Sequence, residues 1–270
     1  MTEVPIQVAV LLNSESVNEW QRRALEVLFD DSDIQAEPSL LVVDSDPRNR
    51  SRLDSVRTHL SELSLWKVIR SFHLIKNHVT GPPWYKKRTA IRDIDAFDGV
   101  KKITSRRLPR EGLGIELSGE AVDHLEKTDI AIRFGFGIVM GDALTAPKYG
   151  MLSYHHGDLR QYRGRPAGFH EFARGERSVG VTVQRLNESL DGGDIAAFKE
   201  VDISDATSWP EVLSRLYGIS DELLLSGVKN CVSGDLETDP KQGSLYTIPT
   251  NRETLLYLRQ KLKRICRNIS

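Results

Sequence analysis

Cysteine is scarce in this chain. Cys231 and Cys266 are the only two in 270 residues, they stand far apart, and neither belongs to a Cys-x-x-Cys or Cys/His ligand spacing. That argues against a disulfide framework and a structural zinc, and it implies a reduced, cytoplasmic setting with no metal. Net charge is also small, −1 with a pI near 6.7, so no global field draws the chain toward nucleic acid or an anionic membrane. No apolar stretch reaches bilayer length: the run Ile6 to Leu12 is short and follows Glu3, so it is expected to be neither a signal peptide nor an anchor. A Gly-x-Gly-x-x-Gly loop is missing as well. Leu11-Leu12-Asn13-Ser14-Glu15-Ser16 lacks the glycines that let backbone approach a phosphate, and Gly112-Leu113-Gly114 is placed elsewhere. A dinucleotide dehydrogenase is not expected.

What is present alternates between two patterns. Val8 to Leu12, Leu40 to Val43, Val100 to Ile103, Ile130 to Phe134, Met151 to His155, Val179 to Arg185 and Ile195 to Val201 read as strands. Helical spacing is expected over Asn13–Phe29, Leu53–Leu65 and Ser118–Leu125 with Ser118 as N-cap, in a short piece near Asp142–Ala146, and between Trp209 and Val232. Lys67 to Asp98, broken by Gly81-Pro82-Pro83-Trp84, reads as an irregular surface excursion. Thr250 and Glu253 form a Thr-x-x-Glu capping pattern that opens a last helix, with Leu255, Leu258, Leu262 and Ile265 as its apolar stripe. The alternation predicts an α/β fold, a doubly wound, mostly parallel Rossmann-like sheet. Residues 1–205 would form the catalytic domain and 206–270 a small C-terminal helical extension.

Chemistry is concentrated in two segments. The first is Ser153-Tyr154-His155-His156-Gly157-Asp158-Leu159-Arg160-Gln161-Tyr162-Arg163-Gly164, and the second is Leu190-Asp191-Gly192-Gly193-Asp194. Alternation along the strand puts Ser153 and His155 on one face and Tyr154 and His156 on the other. An imidazole and a carboxylate on separate loops can together move a proton and hold a carbonyl under nucleophilic attack. Each piece alone has a plainer reading: Asp-Gly suits a tight turn, and an Arg-Gly loop is often a solvated connection. The basic stretches Lys86-Lys87-Arg88, Lys101-Lys102 and Arg106-Arg107 read as a solvated face. Lys261, Lys263, Arg264 and Arg267 offset the dipole at the end of the last helix.

Taken together, His155, Tyr162-Arg163-Gly164, Gly180-Val181-Thr182 and Leu190-Asp191-Gly192-Gly193, with His155 and Asp191 36 positions apart, resemble the formyltransferase family. Asp129 to Gly137, an apolar strand ending in an aromatic-Gly pair, extends the resemblance upstream, to roughly the central third of the chain. Two pieces depart from the family pattern. Ser153 stands where the family usually has Asn, and Gly157-Asp158-Leu159-Arg160 replaces the usual Ser-Leu-Leu-Pro.

The resemblance implies an enzyme that transfers a formyl group from the co-substrate 10-formyltetrahydrofolate to a primary amine, with no metal. His155, Asp191 and Ser153 would be catalytic. Phe134, Gly135, Phe136, Gly137, Leu190, Gly192 and Gly193 would hold the folate, and His156, Tyr162, Arg163 and Gly164 the acceptor. Family members acting on methionyl-tRNA carry a C-terminal β-barrel, whereas a short segment and one amphipathic helix follow here, which points instead to a small-molecule acceptor such as an amino sugar, free or nucleotide-linked. The alternatives are a methionyl-tRNA formyltransferase, a formyltetrahydrofolate hydrolase and a catalytically silent folate- or sugar-binding protein. Neither nucleic acid nor membrane is an expected partner, and a homo-oligomer is left open.

Overall fold

Val8 to Leu12 can be apolar without interruption because both sides of this strand are covered. In the computed structural model, which describes residues 5–45, 64–112 and 114–269, the strand is an interior strand of a seven-stranded sheet. The strands are β1 Ile6–Leu12, β2 Ala36–Asp44, β3 Lys101–Ser105, β4 Ile130–Arg133, β5 Met151–His155, β6 Ser178–Arg185 and β7 Asp194–Asp202. Their order is β7-β6-β5-β4-β1-β2-β3. All pairs from β3 to β5 are parallel, while β6 pairs antiparallel with both β5 and β7. The fold is therefore the expected doubly wound, mostly parallel α/β sheet.

The chain has seven helices among the described residues: α1 Glu19–Phe29, α2 Leu65–Thr80, α3 Gly119–Leu125, α4 Phe169–Arg174, α5 Trp209–Gly218, α6 Asp221–Ser233 and α7 Asn251–Ile269. Alternation along β1 sends Val8, Val10 and Leu12 into one core, with Trp20, Leu25 and Leu28 of α1, Leu216 of α5 and Leu224 and Val228 of α6. Ala9 and Leu11 enter the other core, with Ala121 and Leu125 of α3 and Met151 of β5.

The chain runs from β1 outward through β2 to β3, then returns to the far side of β1 as β4. In open α/β sheets that reversal opens a crevice beyond the carboxyl ends of the strands. β4 and β5 both end there.

Several local expectations are corrected. Helix α1 starts at Glu19, not Asn13, because Ser16–Asn18 is drawn into a short antiparallel pair with Arg88–Ala90. The Asn18 amide then donates to the Gln21 side chain. The expected helix over 53–65 lies outside the described residues apart from Ser64 and Leu65. The stretch from Lys67 is not irregular at first. It lies in α2, where Trp66 is buried while Val68, Phe72, Ile75 and Val79 remain exposed. The piece near Asp142 is a single 3-10 turn, Asp142–Leu144.

The cap of α7 forms as expected: Thr250 N–H donates to Glu253, and Glu253 N–H to Thr250 Oγ1. Its apolar stripe does not face the core, since Leu255, Leu258 and Leu262 are exposed. The buried face carries Thr254, Tyr257 and Arg264 instead. Tyr257 stacks on Phe169 at 5.2 Å, and the Arg264 guanidinium satisfies the carbonyls of Glu176, Ile203 and Ala206. Those partners fix the rotation of the helix.

Candidate active site

His155 is the last residue of β5, and its ring is held from both sides. Nε2 lies 2.9 Å from the carbonyl oxygen of Tyr162. A carbonyl only accepts, so Nε2 carries the proton and Nδ1 of the neutral ring is bare. Nδ1 faces the carboxylate of Asp191, 3.8 Å away. The pair forms because two loops are pinned.

After His155 the chain must turn with no side chain in the way: a Cβ on Gly157 would lie 2.7 Å from Nε2 and 2.8 Å from the Tyr162 oxygen. Thr182, wholly buried on β6 and the register partner of His155, donates to the Gly157 carbonyl at 2.8 Å. That accounts for the Gly-Val-Thr strand.

Asp191 rides on the connection between β6 and β7 at φ +47°, a left-handed geometry that Asp tolerates in turns. Asn187 Nδ2 donates to Gly192 O, and Gly193 N–H donates to the buried Gln184 side chain. A Cβ on Gly193 would lie 2.1 Å from the Arg185 carbonyl oxygen, so only glycine fits that close approach.

Other anticipated residues take varied places. Ser153 is buried on the same face as His155, and its hydroxyl lies 2.8 Å from Arg133 Nη2 and 3.3 Å from the Arg133 carbonyl oxygen. Phe134 packs edge-on to Trp20, and Phe136 is fully buried in the opposite core, with its amide donating to Asn13 Oδ1. The Gly135 backbone abuts the end of β1, where a Cβ would meet the Asn13 nitrogen at 2.4 Å. From Phe134 to Gly137 it is therefore backbone, not aromatic faces, that lies at the crevice. Gly137 follows at φ +74°.

Tyr162 donates from its hydroxyl to Glu176 and stacks on Tyr246 at 5.3 Å. Arg163 braces loops, donating to Gly243 O, Gln242 Oε1 and Leu190 O. Gly164 pairs with Tyr246 across two short strands, Tyr162–Gly164 and Ser244–Tyr246. His156 leaves the opposite face of β5 into a ring cluster with Trp20, Tyr154 and Tyr217. Burial pushes its pKa down to about 3, so it stays neutral there.

Sequence reasoning gave no site role to Arg133, Gly157, Thr182 or Glu171. Glu171, in α4, is buried beside His155, Tyr162 and His170 around a small cavity, and burial pushes its carboxyl up to about 7. Between pH 4.5 and 7 the folded chain keeps a proton that the unfolded chain releases, so stability falls as pH rises through that window, by roughly 3 kcal/mol at most. Thermal midpoints measured from pH 4.5 to 8 should show this fall, and Glu171→Gln should flatten it; identical slopes would contradict the assignment.

Among the described residues no three His, Cys, Asp or Glu side chains converge as a metal site, and no helix is long and apolar enough to cross a membrane.

The sequence profile of the formyl transferase family matches residues 100–227. A methionyl-tRNA formyltransferase of Thermotoga neapolitana is 29% identical over 42% of this chain and 36% of its own length. The chain thus spans about a third of that relative. An N-formyltransferase from Helicobacter canadensis, solved with folinic acid and dTDP-3-aminofucose, shares the fold at TM-score 0.56 and 11% identity, over 96% of this chain and 80% of the other. Glycinamide ribonucleotide transformylase 1 from Symbiobacterium toebii does so at TM-score 0.54 and 15% identity, over 85% and 89%. The compounds in those three names differ, while the two solved structures share this fold.

Proposed function

We propose, on the premise that residues 100–227 are a formyl transferase domain, that this chain transfers a formyl group from 10-formyltetrahydrofolate to a primary amine. The observation that carries the reading is the His155–Asp191 pair, with Nε2 tied to a carbonyl and Nδ1 turned toward the carboxylate. The folate lies against the backbone of Phe134–Gly137 and the Leu190–Asp194 loop. Its formyl carbon sits near His155.

The amine nitrogen attacks that carbon, and the carbonyl electron pair moves onto oxygen. Asp191 favours the charged imidazolium, so His155 Nδ1 can take the proton the amine loses and return it to the folate nitrogen as the carbon–nitrogen bond breaks. Atoms and charges balance without a covalent enzyme intermediate. Gly157 and Thr182 keep His155 in place throughout.

The preferred acceptor is an amino sugar, nucleotide-linked. Support comes from the complex of the Helicobacter canadensis protein with an amino-sugar nucleotide and folinic acid. A second reading, methionyl-tRNA, is favoured by the sequence relatives. The two separate in a competition assay that offers an equimolar mixture of nucleotide-linked amino sugars and methionyl-tRNA with formyl-labelled folate. Label in the sugar fraction is expected; label confined to tRNA would reverse the choice.

A further inference from the structure

Ser153 has no proton to give a substrate. A hydroxyl donates once, and this one points at the carbonyl of Arg133, 3.3 Å away, while its lone pair receives Arg133 Nη2 at 2.8 Å. The group it holds is the more capable one. Arg133 ends β4 as the register partner of Ser153, and paired residues of adjacent strands leave a sheet on the same face. That is also the face of His155, two residues along β5.

Two facts mark the guanidinium as unfinished. Its Nε is buried without a hydrogen-bond partner, an arrangement that costs free energy until a ligand supplies an acceptor. Its charge is largely withdrawn from water, which lowers its pKa to about 10, with Asp191 opposing the shift. It therefore remains a cation at neutral pH, in electrostatic reach of the site's carboxylate.

We propose that Arg133 is a catalytic residue, whose guanidinium donates to the formyl oxygen as it becomes an oxyanion, and that Ser153 is the positioning residue that aims it. The inference rests on the formyl-transfer reading above. As the amine–carbon bond forms, the carbonyl electron pair settles on oxygen beside Arg133. As the carbon–folate bond breaks, the pair returns, and Arg133 keeps all its protons. A fixed cation where charge develops is worth more in a water-poor site than in solvent, and removal of one such donor costs about 100- to 1000-fold in turnover.

Transfer kinetics of the full chain test this, comparing wild type with Arg133→Gln, Arg133→Lys, Arg133→Ala, Ser153→Ala and His155→Ala. Arg133→Gln should lower kcat by about 100- to 1000-fold and leave both KM values within about threefold. Arg133→Lys should fall between, since it keeps charge without the fork. Ser153→Ala should lose about tenfold, because the cation remains but is less well aimed.

Millimolar guanidinium added to Arg133→Ala should restore part of kcat, which a purely structural role would not allow. Arg133→Gln or Arg133→Lys at the wild-type kcat, a loss confined to KM, or no rescue of Arg133→Ala would overturn the proposal. Should Arg133→Gln fail to fold, the lysine variant and the rescue decide. His155→Ala separates the two levels: if it is inactive while Arg133→Gln is active, only the Arg133 inference falls. If wild type shows no amine-dependent transfer, or His155→Ala keeps full rate, the formyl-transfer reading falls and this one with it.

Discussion

Replacing His155 with alanine is expected to lower amine-dependent formyl transfer by at least about 1000-fold, and Asp191→Asn by about 100-fold or more. His155 loses both its Tyr162 bond and its approach to Asp191. What it leaves behind at a buried position is an unpaired carbonyl oxygen, a cost of about 1–3 kcal/mol that the fold should survive. Asp191→Asn keeps the size of the side chain and removes the charge that favours the imidazolium. The loop carrying it is held by Asn187, Gln184 and glycine geometry, not by the Asp191 carboxylate. Because the two groups act as a unit, the double variant should be no slower than the worse single one. Steady-state kinetics beside circular-dichroism melts would check this. Full rates in either single variant, or additive losses in the double, would speak against a working pair.

Gly157→Ala should be nearly as damaging, without touching an ionisable group. The new methyl would be driven between His155 Nε2 and the Tyr162 carbonyl, each within 2.8 Å of it. Ring or loop must move, and a misplacement of about 1 Å in a catalytic group costs on the order of 100-fold. The loss should appear in kcat, and the pH dependence should change as the tautomer lock is released. Gly218→Ala provides the contrast, since a Cβ there meets nothing within 4 Å, and it should retain wild-type rates. Equal activity of the two variants would show that the Nε2 bond does not position His155.

The central strands were legible because a strand covered on both faces must be continuously apolar, and Val8–Leu12, Leu40–Val43 and Ile130–Ile132 are. The common face of Ser153 and His155 followed from alternation alone. Asp191 was visible through its Leu-Asp-Gly-Gly turn, where the glycines mark a backbone with no space for side chains.

Other features depended on partners far along the chain. Leu255, Leu258 and Leu262 look like the buried stripe of α7, yet Tyr257 and Arg264 point inward because Phe169 and three backbone carbonyls receive them. Helix α2 was missed because Phe72, Ile75 and Val79 are not matched to any core. Arg133 reads in sequence as the polar end of an apolar strand. Only the register of β4 against β5 brings it to Ser153. His156, beside His155 in sequence, belongs to a different ring cluster for the same reason that its neighbour is in the site: one residue along a strand is the opposite face.

The most direct test of formyl transfer is single-turnover release of tetrahydrofolate from 10-formyltetrahydrofolate by the full chain, with and without a pool of primary amines that includes amino-sugar nucleotides and methionyl-tRNA. Release that requires the amine, and that disappears in His155→Ala and Asp191→Asn, is the predicted result. Release that proceeds equally well without amine, or no release from a chain that binds the folate, would contradict it.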